Sequence, residues 1–155
     1  MRRFIITLGA LLFAAPLFSQ EPEALAFTLH EHRQQVEQRM GRPSTVTAFG
    51  DFESWQYQIG IEDHHEFSHQ LVFRVSTGEL ISFTRNYEGD PNLDALFPSA
   101  ESHVEHYPDA EHEVMQVRVR QMKDGRFLLG IGSQLMLIQG TELKNFQPWL
   151  AERLH

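Results

Sequence analysis

The first regular hydrophobic pattern in the chain has the spacing of a helix. Thr28 followed by Glu31 has the form of a capping box, which marks a helix start. Gly41 and Pro43 then supply a stop signal. We therefore predict a helix over Leu29–Met40 that buries one face. The positions that would form this face, three or four residues apart, are Leu29, His32, Val36 and Met40.

Beyond this helix the hydrophobic period changes to two, which is typical of half-buried strands. Gly78 and Gly125 lie among turn-forming residues and predict two hairpins. The first hairpin should pair 71–75 with 81–87, and the second should pair 115–122 with 127–131. The full set of predicted strands is Thr45–Phe49, Trp55–Ile59, Leu71–Val75, Ile81–Tyr87, Met115–Met122, Phe127–Ile131 and Leu135–Ile138.

Residues 88–112 separate the two groups of strands and are rich in proline, aspartate and asparagine. This composition predicts a long connection with one short helix near 100–106, and long connections in compact domains often carry function. Near the C-terminus, Pro148 begins a stretch that predicts a short helix over Trp149–Leu154. The predicted fold class is α+β, a mostly antiparallel sheet with an N-terminal helix and a short C-terminal helix.

The N-terminus has the pattern of a secretory signal peptide. Arg2 and Arg3 precede an apolar run, Phe4–Phe18, that is too short to span a bilayer comfortably. We predict cleavage after Ser19, with Ala15 as the alternative. The chain would then consist of a signal peptide, 1–19, and one exported α+β domain, 20–155, located in the bacterial periplasm or secreted. The alternative organisation is two halves, 20–87 and 113–155, joined by the long connection.

Composition and net charge exclude several kinds of site and partner. The chain has 155 residues, no cysteine and a formal net charge of −8. Without cysteine there are no disulfides, thiolate metal sites or cysteine nucleophiles. An acidic surface repels nucleic acid and anionic lipid, and no second apolar run is long enough to span a membrane after signal removal. We therefore expect an envelope protein as partner and no nucleic acid; the oligomeric state stays open.

The first half of the domain resembles a known family. A helix ends in Gly41-Arg42-Pro43, and Trp55-Gln56-Tyr57, Leu71-Val72-Phe73 and Gly78-Glu79-Leu80 follow. Over residues 29–87 this order resembles the small outer-membrane-assembly lipoproteins and proteins that share their fold, such as the β-lactamase inhibitor proteins. The resemblance implies a helical start, three antiparallel strands and a sheet that serves protein–protein contact. The lipid-bearing cysteine of the lipoproteins is absent, so lipid anchoring is not implied.

One segment matches a catalytic motif. His65-Glu66-Phe67-Ser68-His69 has the two histidines and the glutamate of zinc proteases. In those enzymes the motif lies on a helix, so that both imidazoles face one zinc and the glutamate is the general base. Here the surrounding alternation predicts a strand, on which His65 and His69 would lie about 13 Å apart. Zinc, or another transition metal, with Glu66 as catalytic base is therefore the alternative hypothesis, and no cofactor is the leading one.

Three other groups of residues are candidates for binding. His103 and His106 would share a face if their segment is helical, and imidazole suits zinc, copper or nickel. Trp55 and Tyr57 form either an aromatic binding surface or part of the core. Arg118 and Arg120 lie on one strand face, where they either meet an anionic partner or are simply solvated.

Taken together, these patterns favour a non-enzymatic exported binding protein, a periplasmic protein–protein interaction module. The export signal, the domain size and the extended context of the catalytic motif support this reading, although a fold resemblance does not fix a function. The alternative is a metal-binding protein or a zinc hydrolase that uses His65, Glu66 and His69.

Overall fold

A computed structural model describes residues 27–62, 65–89, 91–97, 103–106 and 115–154 of the chain. The predicted signal peptide and its cleavage site lie outside these residues. Within them, one antiparallel sheet of eight strands dominates, in the order β1-β2-β3-β4-β8-β7-β6-β5. Its strands are β1 (Thr45–Phe49), β2 (Phe52–Glu62), β3 (His65–Arg74), β4 (Leu80–Tyr87), β5 (His103–His106), β6 (Met115–Gln121), β7 (Arg126–Ile131) and β8 (Gln134–Gln139).

The helices are few and short. Among the described residues, one α-helix, α1 (Arg33–Met40), precedes the sheet, and two follow it in the last part of the chain. In addition, single 3-10 turns occupy Asp94–Leu96 and Gly140–Glu142. No helix among the described residues is both long enough and apolar enough to cross a membrane. The α-helices are α1 (Arg33–Met40), α2 (Leu143–Phe146) and α3 (Pro148–Arg153).

The α+β fold class predicted from the sequence is wrong. The described chain is an antiparallel sheet that carries only short helices, and the N-terminal helix predicted over Leu29–Met40 is absent in that form. The physical reason lies in the backbone of the residues before α1, which pairs with the start of β4. The amide of His30 donates to the carbonyl of Leu80 at 2.8 Å, and the amide of Leu80 donates to that of Glu31 at 2.8 Å. These bonds keep the residues out of a helix: Leu29 and His30 form a turn in which His30 has a positive φ of 74°, and His32 forms an isolated antiparallel bridge with Glu79.

The helix that remains begins four residues later than the predicted capping box implies. His32 is the N-cap of α1, and its ring nitrogen accepts from the amide of Gln34 at 3.4 Å. The side chain of Gln35 accepts from the amide of His32 at 3.0 Å, which completes a capping box there. By contrast, the short C-terminal helix predicted over Trp149–Leu154 is confirmed as α3.

The two predicted hairpins are confirmed. β3 pairs antiparallel with β4, with Leu71 opposite Phe83, and β6 pairs antiparallel with β7, with Val119 opposite Leu129. The short helix predicted near 100–106 is wrong, because His103–His106 forms strand β5 against β6. This pairing satisfies backbone groups that β6 would otherwise present along an open edge.

The sheet consists of two four-stranded meanders joined side by side. β1 to β4 follow one another in space, as do β5 to β8, and the last strands of the two meanders pair antiparallel, with Phe83 opposite Leu137. The larger core lies on the face that α1 covers and includes Val36, Trp55 and Phe73. The smaller core lies on the opposite face of β6–β8 under α2 and α3 and includes Leu129 and Leu150.

Candidate functional site

The structure places the histidine motif on a strand. His65 to His69 all belong to β3, as their alternating pattern predicts. Four residues of extended chain span about 13 Å, whereas the ligands of one zinc ion lie within about 2 Å of the metal. The two histidines of the motif therefore do not have the helical arrangement that zinc proteases require. Among the described residues, no group of three or more histidine, aspartate or glutamate side chains could hold a metal ion.

His69 is instead part of the buried core. It is 2% exposed and lies in the middle of a cross-strand row, opposite Tyr57 on β2 and Arg85 on β4. The Nε of Arg85 donates to the Nε2 of His69 at 3.1 Å. Because Nε2 accepts this bond, a neutral ring carries its proton on Nδ1, and Nδ1 has no hydrogen-bond partner among the described residues.

Aromatic rings enclose the His69–Arg85 pair. The His69 ring lies 4.9 Å from the ring of Phe83, 5.3 Å from that of Phe67 and 5.4 Å from that of Phe27. The Arg85 guanidinium lies over Phe67, 4.5 Å from its centroid, a cation–π contact that stabilises a buried cation. These rings exclude water from both polar side chains.

This environment sets the protonation state of His69. Burial first, and the neighbouring positive charge of Arg85 second, together lower the pKa of His69 from its ordinary 6.5 to about 4. The ring is therefore neutral at pH 7. Since its Nε2 accepts from a cation and it is closed off from solvent, His69 serves as the acceptor for a buried arginine rather than as a catalytic base.

The other sequence candidates occupy separate places in the sheet. His103 and His106 lie on β5, far along the strand order from β3, so the four candidate histidines belong to two distant strands. The Nη2 of Arg118 forms an ion pair with Asp94 Oδ1 at 2.9 Å. Arg120 lies on the same face of β6, two residues away.

Trp55 and Tyr57 are core residues rather than a binding surface. They are 6% and 5% exposed and pack in the cluster that includes Val36 of α1. The Tyr57 hydroxyl donates to the carbonyl of Gly41 at 3.0 Å, which fixes the end of α1 against β2. Of the two alternatives predicted for Trp55 and Tyr57, the aromatic binding surface is therefore wrong, and core packing is what the structure has.

Among the strands whose exposure is described throughout, namely β1, β4, β6, β7 and β8, the edge strand β1 is the most accessible. It pairs with β2 and ends the sheet, and all five of its residues are exposed. None of the five is charged, and two of them, Val46 and Phe49, are 53% and 42% exposed large hydrophobic residues. An edge strand presents a row of backbone donors and acceptors to another chain, and natural proteins usually protect it with lysine, proline or a bulge. β1 contains none of these.

A cleft of about 480 Å³ lies between β6, β7 and the C-terminal helices. Its helix α2 also reaches the candidate edge, since the ring centroid of Phe146 lies 6.3 Å from that of Phe49 on β1. The described residues that line the cleft are mostly apolar and include Phe127, Leu143 and Leu154, with Lys144 as the one titratable side chain among them. A cleft with one cation and no acid–base pair in its described lining offers no machinery for proton transfer. It does not compete with β1 as the candidate site.

Comparison with known proteins finds no relative of this chain. No protein-family model, curated protein or solved structure matches the chain. The resemblance of residues 29–87 to the assembly lipoproteins and inhibitor proteins therefore stays a prediction, and the site rests on the chain's own geometry.

Sequence reasoning missed two features of this geometry. Arg85 lies in phase with Phe83 and Tyr87, so a charged residue at a core position was the available signal for the buried pair. The exposure of β1 had no such signal, because Val46 and Phe49 are residues typical of a covered strand.

Proposed function

We propose that this protein is a non-enzymatic exported binding protein, which engages another protein chain through the exposed edge of its sheet at β1. The single observation that carries the proposal is that all five residues of β1 are exposed and uncharged. No described strand pairs with the outer side of β1. A neutral edge strand of this kind accepts an added strand, and the main-chain hydrogen bonds supply affinity.

The apolar side chains of β1 define what such a partner offers. Val46 lies opposite Trp55 on the face of the larger core, whereas Thr47 and Phe49 lie on the other face, opposite Ser54 and Phe52. An added strand with β-branched or aromatic residues on alternate positions would cover both sides, since such cross-strand pairs are favourable. The partner that fits is therefore a strand that, like β1, is rich in β-branched or aromatic residues and has no charged residue in its centre.

Three further observations support a binding role over catalysis. The sequence has an export pattern near its start, the histidine motif lies on a strand, and His69, whose pKa is strongly lowered, is buried against Arg85. In the family that residues 29–87 resemble, the sheet serves protein–protein contact. Each of these favours a binding module, and β1 is an exposed edge of the described sheet that such contact can reach.

Site-specific photo-crosslinking tests the proposal. A photo-reactive phenylalanine analogue replaces Val46 in one variant and Lys123, in the exposed turn between β6 and β7, in the control. We expect light-dependent adducts in the cell envelope from position 46 and not from position 123. Thr47→Lys should remove the adducts, because a lysine on an edge strand opposes strand addition. An absence of any protein adduct at position 46 would refute the proposed function.

A further inference from the structure

The geometry of β1 points to a second copy of this chain as the occupant of its edge, paired antiparallel about a two-fold axis at Thr47. This inference rests on the proposed function, since it names the partner at the same strand. It draws on the symmetry of the strand, on the charges at its two ends and on the length of the pairing.

The register follows from the strand itself. β1 has five residues, with Thr47 in the middle. In an antiparallel pair, all five residues find a partner only when Thr47 of one copy lies opposite Thr47 of the other. Directly opposed residues share a face of the sheet, so Val46 then lies opposite Ala48 and Thr45 lies opposite Phe49. The pairs are threonine with threonine, aliphatic with aliphatic, and β-branched with aromatic, all of which are compatible.

The charges at the two ends of the strand are complementary in this arrangement. Arg42 precedes β1 and is exposed, whereas Asp51 follows β1 and is also exposed, although its carboxylate already pairs with Arg74 at 3.2 Å and accepts from the Ser76 hydroxyl at 2.9 Å. An antiparallel pair brings the beginning of one strand beside the end of the other, so each arginine approaches the aspartate of the second copy. The two-fold axis repeats this approach, as an isologous interface requires. Between these ends the strand is uncharged, so two acidic molecules meet at a place where like charges do not oppose each other.

The length of the pairing sets its strength. Five residues per strand bury less surface than the 1,000 Å² or so that a stable interface needs. The dimer is therefore weak and forms in proportion to concentration. Its product is a continuous sheet that runs through both copies, with the exposed Val46 of each copy covered by the other.

Sedimentation of the purified protein alone is the first test, because it contains no other partner. We expect the weight-average mass to rise from monomer towards dimer with concentration. Thr47→Lys and Thr47→Glu should each raise the dissociation constant at least about tenfold, because two like charges would face each other on the axis. An equimolar mixture of the two variants should restore the dimer, since lysine then faces glutamate. The matched controls are Thr77→Lys and Thr77→Glu, in the exposed turn after β3.

Disulfide crosslinking tests the register independently. The chain contains no cysteine, so Thr47→Cys introduces a single thiol. Opposed Cα atoms in an antiparallel pair lie about 4.5–5.5 Å apart, which is within the range of a disulfide. We expect oxidised dimers from Thr47→Cys and not from Thr77→Cys.

Several results would overturn the inference. These are a monomer at every concentration, a dimer that Thr47→Lys leaves unchanged, a failure of the charge-reversed variants to recombine, or no crosslink at position 47. A monomer whose position 46 still crosslinks to a different protein would overturn the second copy as occupant and leave the proposed function standing. A chain that is monomeric and forms no adduct at position 46 would overturn both.

Discussion

The buried His69–Arg85 pair makes the stability of the protein depend on pH in a defined window. The pKa of His69 is lowered from 6.5 to about 4, chiefly by burial. Between these two values the unfolded chain binds a proton that the folded chain does not. Stability rises with pH wherever the unfolded state binds more protons. The contribution of His69 is therefore complete above pH 6.5 and is lost as the pH falls towards 4.

The magnitude follows from the two pKa values. A full shift of this size corresponds to about 3 kcal/mol. Between pH 7 and pH 5 the linkage relation gives a loss of about 2 kcal/mol. Asp51 titrates below this window, because hydrogen bonds from Ser76 and the charge of Arg74 hold the pKa of its carboxyl below 3.8. Comparison with a variant that lacks the His69 imidazole isolates the contribution of His69 to the decline between pH 7 and pH 5.

Urea denaturation of the wild type and of His69→Gln at pH 7, 6 and 5 measures this loss. Glutamine can accept a hydrogen bond from Arg85 but does not titrate, so only the change with pH is compared between the two proteins. The wild type should lose about 2 kcal/mol more than the variant over this range. Equal losses in both proteins, or an imidazole pKa near 6.5 for His69 by NMR in the folded state, would refute the reasoning.

Three further predictions concern the core, an ion-pair network and metals. Phe73→Ala should lower the free energy of unfolding by about 3 kcal/mol or more, because Phe73 is fully buried. Val75→Ala should change the urea midpoint little, because Val75 is 43% exposed. Similar effects of the two substitutions would contradict the placement of Phe73 in the core and of Val75 at the surface. Arg74→Met should cost about 1–3 kcal/mol, because it takes a donor from the buried Glu142. Arg39→Met should cost less in the same melts, because its partner Glu31 is only partly buried and Arg39 itself is exposed. Titration calorimetry should show at most weak zinc binding, and a submicromolar site lost in His65→Ala or His69→Ala would contradict the placement of the motif on β3.

Local patterns in the sequence predicted the strands well, because alternation depends on neighbours two residues away. The phase of His69 with Leu71 and Phe73 placed all three on one face, and the structure has them buried together. The turns at Gly78 and Gly125 are local too, and both glycines adopt a positive φ, of 72° and 84°. A turn of this kind favours glycine, so its position can be predicted from the sequence alone.

The N-terminal helix could not be predicted as well, because a distant strand decides where it begins. Thr28 and Glu31 form half of the expected cap, since the amide of Thr28 donates to the Glu31 side chain at 3.1 Å. The backbone of residues 30–33 nevertheless bonds to residues 78–80, about fifty positions along the chain. Tertiary hydrogen bonds of this kind override local helix signals.

The exposure of β1 is likewise a consequence of strand order. β8 is also a short strand with no charged residue, yet its Leu135, Leu137 and Ile138 are fully buried, because β4 and β7 flank it and cores cover both faces. β1 has β2 on one side and all five of its residues are exposed. The two strands have similar compositions, so their different exposure follows from their positions in the sheet. Among the described residues no strand pairs with the outer side of β1, and the strand carries none of the charges by which natural proteins usually protect such an edge.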